Sequence, residues 1–199
     1  MAGAAKGWGT AAAIGVALIA AQAIAELAMG RPAICACGAV QLWYGDLFGP
    51  GLSQHFSDWY SFTHISHGMV FYALTTLVAP RAPLWTRLAA TLAIEVSWEV
   101  VENSPVIIDR YRQSALAQGY NGDSVVNSVS DTLFCVIGFA LARLLPVRWG
   151  VALVAVNELA LAALIHDNLA LNVWQLVHPT KALSDWQASG GYIGSGRVF

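Results

Sequence analysis

Two histidines, His64 and His67, stand three residues apart in a largely apolar run. Further along, Glu95, Glu99 and Glu102 are spaced i, i+4, i+7, and Asp123, Asn127 and Asp131 are spaced i, i+4, i+8. Residues three and four apart share one face of an α-helix, so each set predicts a polar stripe on its own helix. Imidazoles and carboxylates together form a ligand set that suits zinc, manganese or iron better than magnesium. A divalent ion held this way can activate water or polarise a phosphoryl or acyl oxygen. The candidate metal ligands are therefore His64, His67, Glu99, Glu102, Asp123 and Asp131. The candidate catalytic groups are Glu102, His67 and Asp131, with Glu102 or His67 as the general base.

Each element also has a plainer reading. The histidines could be an interfacial hydrogen-bonded pair, and Asn103 and Ser104 could simply cap a helix. No Glu-x-x-His falls within one helix, which argues against a standard carboxylate-bridged di-iron site. Gly122 permits a sharp turn, and Asp123 or Ser124 could cap the following helix. A cap leaves Asn127 and Asp131 unexplained, because they continue the stripe one and two turns deeper. In Asp109-Arg110-Tyr111-Arg112 the arginines either pair with Asp109 or hold a phosphate bidentately. The second option makes Arg110, Arg112, Asn103 and Asn127 the candidate substrate contacts. His166-Asp167-Asn168 could add a ligand or an oriented base, while His55 and His178 have weaker claims. Cys35 and Cys37 do not make a zinc-ribbon pattern. They read as small loop residues or as a strained or transient disulfide, and Cys135 reads as packing.

The elements that must position these groups follow from composition. The 199 residues are 57% hydrophobic and only 11% charged, with a mean hydropathy of +0.56. A soluble domain carries about 25% charged residues, so this much apolar surface requires a bilayer. A net charge of −2 without a basic stripe excludes nucleic acid as a partner. The predicted fold is an all-α transmembrane bundle of about five spans, forming one transmembrane domain over residues 1–199. The spans cover 10–29, 62–79, 84–101, 125–145 and 147–165. Pro80 and Pro83 punctuate one turn and Pro146 another.

The apolar run of the first span is longer than the core of a cleaved signal peptide, so it is expected to be retained. Lys6, Arg81, Arg87, Arg143 and Arg148 place three flanking regions on the cytoplasmic side. The amino terminus is then cytoplasmic and the carboxyl terminus periplasmic, across a bacterial inner membrane. Arg110 and Arg112 violate this bias mildly. Trp43, Tyr44, Trp59, Tyr60, Trp174 and Trp186 suggest that the loop 30–61 and the tail 166–190 lie along the outer interface, in part as short helices. Gly190, Gly191, Gly194 and Gly196 suggest a flexible end.

In that topology the acids and histidines gather at the outer end of the bundle, with Glu95 and Glu158 deeper. No lysine or arginine falls in the interior of a span to neutralise them. An intramembrane carboxylate costs roughly 2.5–3.5 kcal/mol on insertion scales, so the stripes are expected to face one another around an outward-opening pocket.

The run Trp98-Glu99, Glu102-Asn103-Ser104-Pro105, Arg110-Tyr111-Arg112, Gly119-Tyr120, Gly122-Asp123-Ser124, Asn127-Ser128 and Asp131 resembles an uncharacterised family of small alphaproteobacterial membrane proteins. The resemblance covers nearly the whole chain and implies a multi-pass inner-membrane protein without assigning an activity. A looser likeness is to VanZ-like membrane proteins, and it implies a fold analogy only.

Three functions follow as expectations. The first is a metal-dependent hydrolase or transferase acting on a lipid or lipid-linked substrate from the outer leaflet. The second is a cation- or proton-coupled transporter, in which Glu95 and Glu158 extend the path inward. The third is a membrane assembly protein whose polar stripes lock helices together.

Overall fold

The structure is a computed structural model that describes residues 2–113, 116 and 119–189. The glycines Gly190, Gly191, Gly194 and Gly196 lie outside the described residues. Eight helices and no strand occur among the described residues. They are α1 (Ala2–Ala28), α2 (Ser61–Val78), α3 (Leu84–Glu102), α4 (Pro105–Tyr111), α5 (Val125–Leu144), α6 (Val147–Ile165), α7 (Leu169–Val177) and α8 (Lys181–Ser189).

Local chemistry sets their limits. Pro83 and Pro146 sit in extended backbone immediately before α3 and α6. Pro105 opens α4, where its missing N–H has no partner to lose. Ser124 caps α5 by accepting a bond from the Asn127 amide at 3.2 Å. Asn168 caps α7 by accepting from the Leu171 amide at 2.8 Å. Between these two helices α6 ends at His166, which adopts a left-handed conformation with φ 55°.

Three helices are long and apolar enough to cross a membrane: Lys6–Ala28, Val125–Leu144 and Val147–Ile165. α2 and α3 miss that standard because they carry the candidate site's polar groups. His64 and His67 interrupt the first turns of α2, and α3 holds Arg87, Glu95, Glu99 and Glu102.

The distribution of polarity is inverted relative to a soluble protein. Large apolar side chains cover the outside, among them Val16 at 70% exposure, Leu77 at 80% and Leu159 at 70%. The fully buried side chains include Gln22, Glu26, Glu95, Glu99 and Asn103. Lipid solvates the first set without penalty and rejects the second, so this is the arrangement expected of a membrane bundle.

α2 packs most extensively along α5, and α1 packs along α3. Two glycines set the α2–α5 crossing. A Cβ at Gly68 would lie 1.9 Å from the Cys135 carbonyl oxygen, and one at Gly138 would lie 2.0 Å from that of Ile65. The backbones therefore touch where neither helix carries a side chain, as small residues allow in membrane helix pairs. This contact lies one turn from His64 and brings it close to α5. Asn157 of α6 adds a polar tie to α2, donating to the Phe62 carbonyl and to Ser66 Oγ, both at 2.9 Å.

The outer loop departs from the expectation of short helices. Among its described residues, 30–60 form turns and a narrow hairpin. The Tyr44 amide donates to the Ser57 carbonyl at 2.9 Å, and the Phe56 amide to that of Gln41 at 3.0 Å. Pro32, Pro50 and repeated glycines interrupt any helical run here. The tail does form helices, α7 and α8, tied together by Gln175, which donates to Ser184 Oγ at 2.9 Å.

Candidate functional site

α2 and α5 begin at the same end of the bundle where α1, α3 and α6 finish. There the outer loops, the end turns of α2, α3, α4 and α5, and α7 surround a cavity of about 640 Å³. The polar part of its wall includes His64, His67, Glu102, Asp123, Asp131 and Asp167. The apolar part includes Leu47, Phe48, Leu52, Leu116, Leu169 and Val173. No lysine or arginine lines it among the described residues.

His64 is the centre of the polar wall. Its Nδ1 lies 2.6 Å from Glu95 Oε1 and 3.2 Å from Glu99 Oε1, and its Nε2 lies 3.9 Å from Asp131 Oδ2. His67 Nδ1 lies 3.1 Å from Glu95 Oε2. Glu95, fully buried, thus engages the Nδ1 of both rings. An ionised Glu95 keeps the proton on each Nδ1 and leaves each Nε2 as a lone pair, the form needed by a metal ligand or a base. Ligand atoms of His64, Glu99 and Glu102 lie within 4.8 Å of one another, as do those of His64, His67 and Glu95.

A second layer joins α1 to this centre. Ser128 Oγ donates to Glu26 and, at 2.6 Å, to Glu99 Oε2, and it accepts from Gln22 Nε2 at 2.7 Å. One hydroxyl has one proton, so one of the two carboxyls must supply the other. Glu99 Oε1, 3.2 Å from His64 Nδ1, is buried without a hydrogen bond, and so is Asp131 Oδ1. Two such oxygens beside one imidazole are costly unless a positive charge satisfies them.

The periphery is built from groups that donate to carboxylates. Asn103 donates to Asp123 Oδ2 at 2.8 Å and accepts from the Asp123 amide at 2.7 Å. The Tyr120 hydroxyl donates to Asp123 Oδ1 at 2.9 Å, and the Tyr60 hydroxyl donates to Asp167 Oδ2 at 3.1 Å. Burial pushes Tyr60, Tyr111 and Tyr120 well above the usual phenol range, so all three remain donors. Burial likewise raises Asp123, and it lifts Asp58 and Asp167 to about 6. Asp58 accepts from the Ser53 and Tyr60 amides at 2.9 and 2.8 Å and so fixes the approach to α2.

The structure brings His64, His67, Glu99, Glu102, Asp123 and Asp131 to one cavity or its immediate wall. Asp123 is farther into the Asn103 and Tyr120 network than into the His64 cluster. The proposed substrate contacts are placed differently. Arg110 Nε donates to the Leu176 carbonyl at 3.0 Å, which ties α4 to α7. Arg112 Nε donates to the Tyr120 carbonyl at 2.7 Å, and its guanidinium also reaches Asn121 and Asp109. Neither arginine lines the cavity: a carbonyl of α7 engages Arg110, and a loop carbonyl engages Arg112. Asn127 donates to the His55 carbonyl at 2.9 Å and also lies outside the lining, and Asn103 acts through Asp123.

Glu158 lies near the outer end of α6, against α7. Its Oε2 accepts from the Ala170 amide at 3.0 Å, at the start of α7. His166 stacks on Trp186 with ring centroids 4.4 Å apart. Sequence reading missed Gln22 and Ser128 as partners of the acids. It also missed Asp58, and Tyr60 as a cavity donor. Gln22 and Glu26 are one helical turn apart, and that spacing was the available signal for α1.

Taken together, these features define an all-helical protein with membrane-type helices and a buried cluster of histidines and carboxylates at one end. The chain belongs to the family described as protein of unknown function DUF2585, whose pattern matches residues 26–189. It is 52% identical over 186 residues to a UPF0314 protein of Sphingopyxis alaskensis, covering 92% of this chain and 96% of that one. It is 47% identical to a UPF0314 protein of Brucella anthropi, covering 92% and 93%. A UPF0314 protein of Paracoccus denitrificans is 50% identical over 161 residues, covering 81% and 83%. No solved structure matches the chain.

Proposed function

We propose that this protein is a multi-pass inner-membrane enzyme, a metal-dependent hydrolase or transferase that acts on a lipid or lipid-linked substrate from the periplasmic side. Its five spans are α1, α2, α3, α5 and α6. The observation that carries the reading is His64, whose ring meets Glu95, Glu99 and Asp131 at 2.6, 3.2 and 3.9 Å with no lysine or arginine among the cavity lining. Several carboxylates around one imidazole require a cation or protons to be stable in a low-dielectric site.

In this reading His64, Glu99 and Glu102 hold the ion, and Asp131 stands beside it. Glu95 orients both imidazoles, as an outer carboxylate does in many zinc sites. Mixed nitrogen and oxygen ligands favour zinc, manganese or iron over magnesium. His67, with its Nδ1 on Glu95, is the general base. The apolar wall accepts an acyl or prenyl chain. With no arginine among the described residues that line the cavity, the ion would be the partner of a phosphoryl oxygen there. Transport draws less support, because Glu158 is engaged at the start of α7.

Elemental analysis of protein purified in detergent tests the assignment. Wild type is expected to retain about one divalent ion per chain, to lose it in Glu99→Ala, and to melt lower after chelation. Metal-free wild type whose melting is indifferent to chelators and to added zinc, manganese or iron would exclude the metal-dependent reading.

A further inference from the structure

The loop between α1 and α2 carries a pair of cysteines that the proposed cavity chemistry does not use. The sulfurs of Cys35 and Cys37 are bonded to each other. Only one residue separates them, so the bond constrains almost no unfolded chain and contributes little to stability by loop closure. The two sulfurs are unequal, Cys35 being buried at 6% exposure while Cys37 is exposed. The Cys37 amide donates to Cys35 Sγ at 3.2 Å. A nitrogen of the buried His55 ring lies within 4.8 Å of both sulfurs. The Gln41 amide donates to His55 Nδ1 at 3.2 Å, which leaves the imidazole proton on Nε2. Ala36, between the cysteines, lines the cavity.

We propose that Cys35–Cys37 is a thiol–disulfide exchange site whose substrate is a thiol reaching the outer loop. An incoming thiolate attacks the exposed Cys37 Sγ. The bond between the cysteines breaks, and its electron pair leaves on Cys35 Sγ, beside the Cys37 amide and His55. The product is a mixed disulfide on Cys37. A second thiolate of the same class attacks the incoming sulfur and displaces Cys37 as thiolate. Two thiols have then been oxidised to one disulfide, and their two protons end on Cys35 and Cys37. Accessible low-constraint disulfides are the exchangeable ones, and the leaving sulfur is the better stabilised of the two.

The test uses full-length protein in detergent, equilibrated with reduced and oxidised glutathione at varied ratios, alkylated and read by peptide mass spectrometry. The pair is expected to change from disulfide to two free thiols within the glutathione range, while buried Cys135 stays unmodified. Cys35→Ser is expected to trap glutathione on Cys37 at least tenfold faster than Cys37→Ser traps it on Cys35. His55→Gln is expected to slow reduction of the pair about tenfold. A pair that resists fully reduced glutathione, or that stays reduced in oxidised glutathione, overturns the proposal. So does equal reactivity of the two serine variants. One zinc or copper(I) ion bound to the reduced protein and lost in either variant would reassign the pair to soft-metal binding.

Discussion

Ser128 shows how much one small side chain can carry. Its hydroxyl lies between Glu26 and Glu99 and accepts from Gln22, all of them buried. Ser128→Ala removes that shared partner and leaves the buried Glu99 Oε2 unsatisfied. A buried group left so costs about 1–3 kcal/mol, so the variant is expected to melt below wild type in the same detergent, and an unchanged melting temperature would show that the Ser128 network is not formed. Asp58 and Asp167 make a prediction about pH. Burial raises both from 3.8 to about 6, so between roughly pH 4 and 6 the folded state binds more protons than the unfolded one. Stability linked to these groups therefore rises as pH falls through 6 and is complete near 4. Asp167→Asn should flatten the gain in melting temperature between pH 7 and pH 5, and a profile parallel to wild type would contradict it.

At the scale of elements, the α2–α5 contact decides whether the site exists. Gly68 and Gly138 let the backbones meet where a Cβ would approach a carbonyl oxygen within 1.9–2.0 Å. Gly68→Ala or Gly138→Ala must push the helices apart, at about 1–3 kcal/mol or more. The same shift moves His64 away from Asp131, so bound metal should fall along with melting temperature; full retention of both would show that the helices do not pack this closely. The stripes that carry the site were legible in the sequence, because Glu95, Glu99 and Glu102 recur at helical spacing and sit together on α3. Their partners were not legible. The bond of Ser128 to Glu26 joins residues 102 apart, and Arg110 ends on a carbonyl 66 residues away. Helix period fixes which residues share a face, whereas pairing between faces depends on crossing and register, which one sequence does not contain. The hairpin of the outer loop was hidden for a similar reason, since two backbone bonds hold it without any side-chain period.

At the scale of the whole molecule, apolar side chains lie outside and carboxylates inside, and the bilayer reconciles the two. The five spans proposed above would place the termini on opposite sides. Reporter fusions at the carboxyl terminus should report the periplasm, with those in the 80–83 turn reporting the cytoplasm; both reporters on one side would remove α2 and α3 from the set of spans. A bundle that buries this many acids, with no lysine or arginine among the described residues lining its cavity, has to be neutralised by protons, by histidine or by a cation. X-ray absorption at the edge of the metal copurifying with full-length protein distinguishes these most directly. The expected result is a shell of imidazole nitrogen and carboxylate oxygen, at about 2.0–2.2 Å if the ion is zinc, with one imidazole lost in His64→Ala. An all-oxygen shell, a sulfur shell, or protein that carries no metal and takes none up would contradict it.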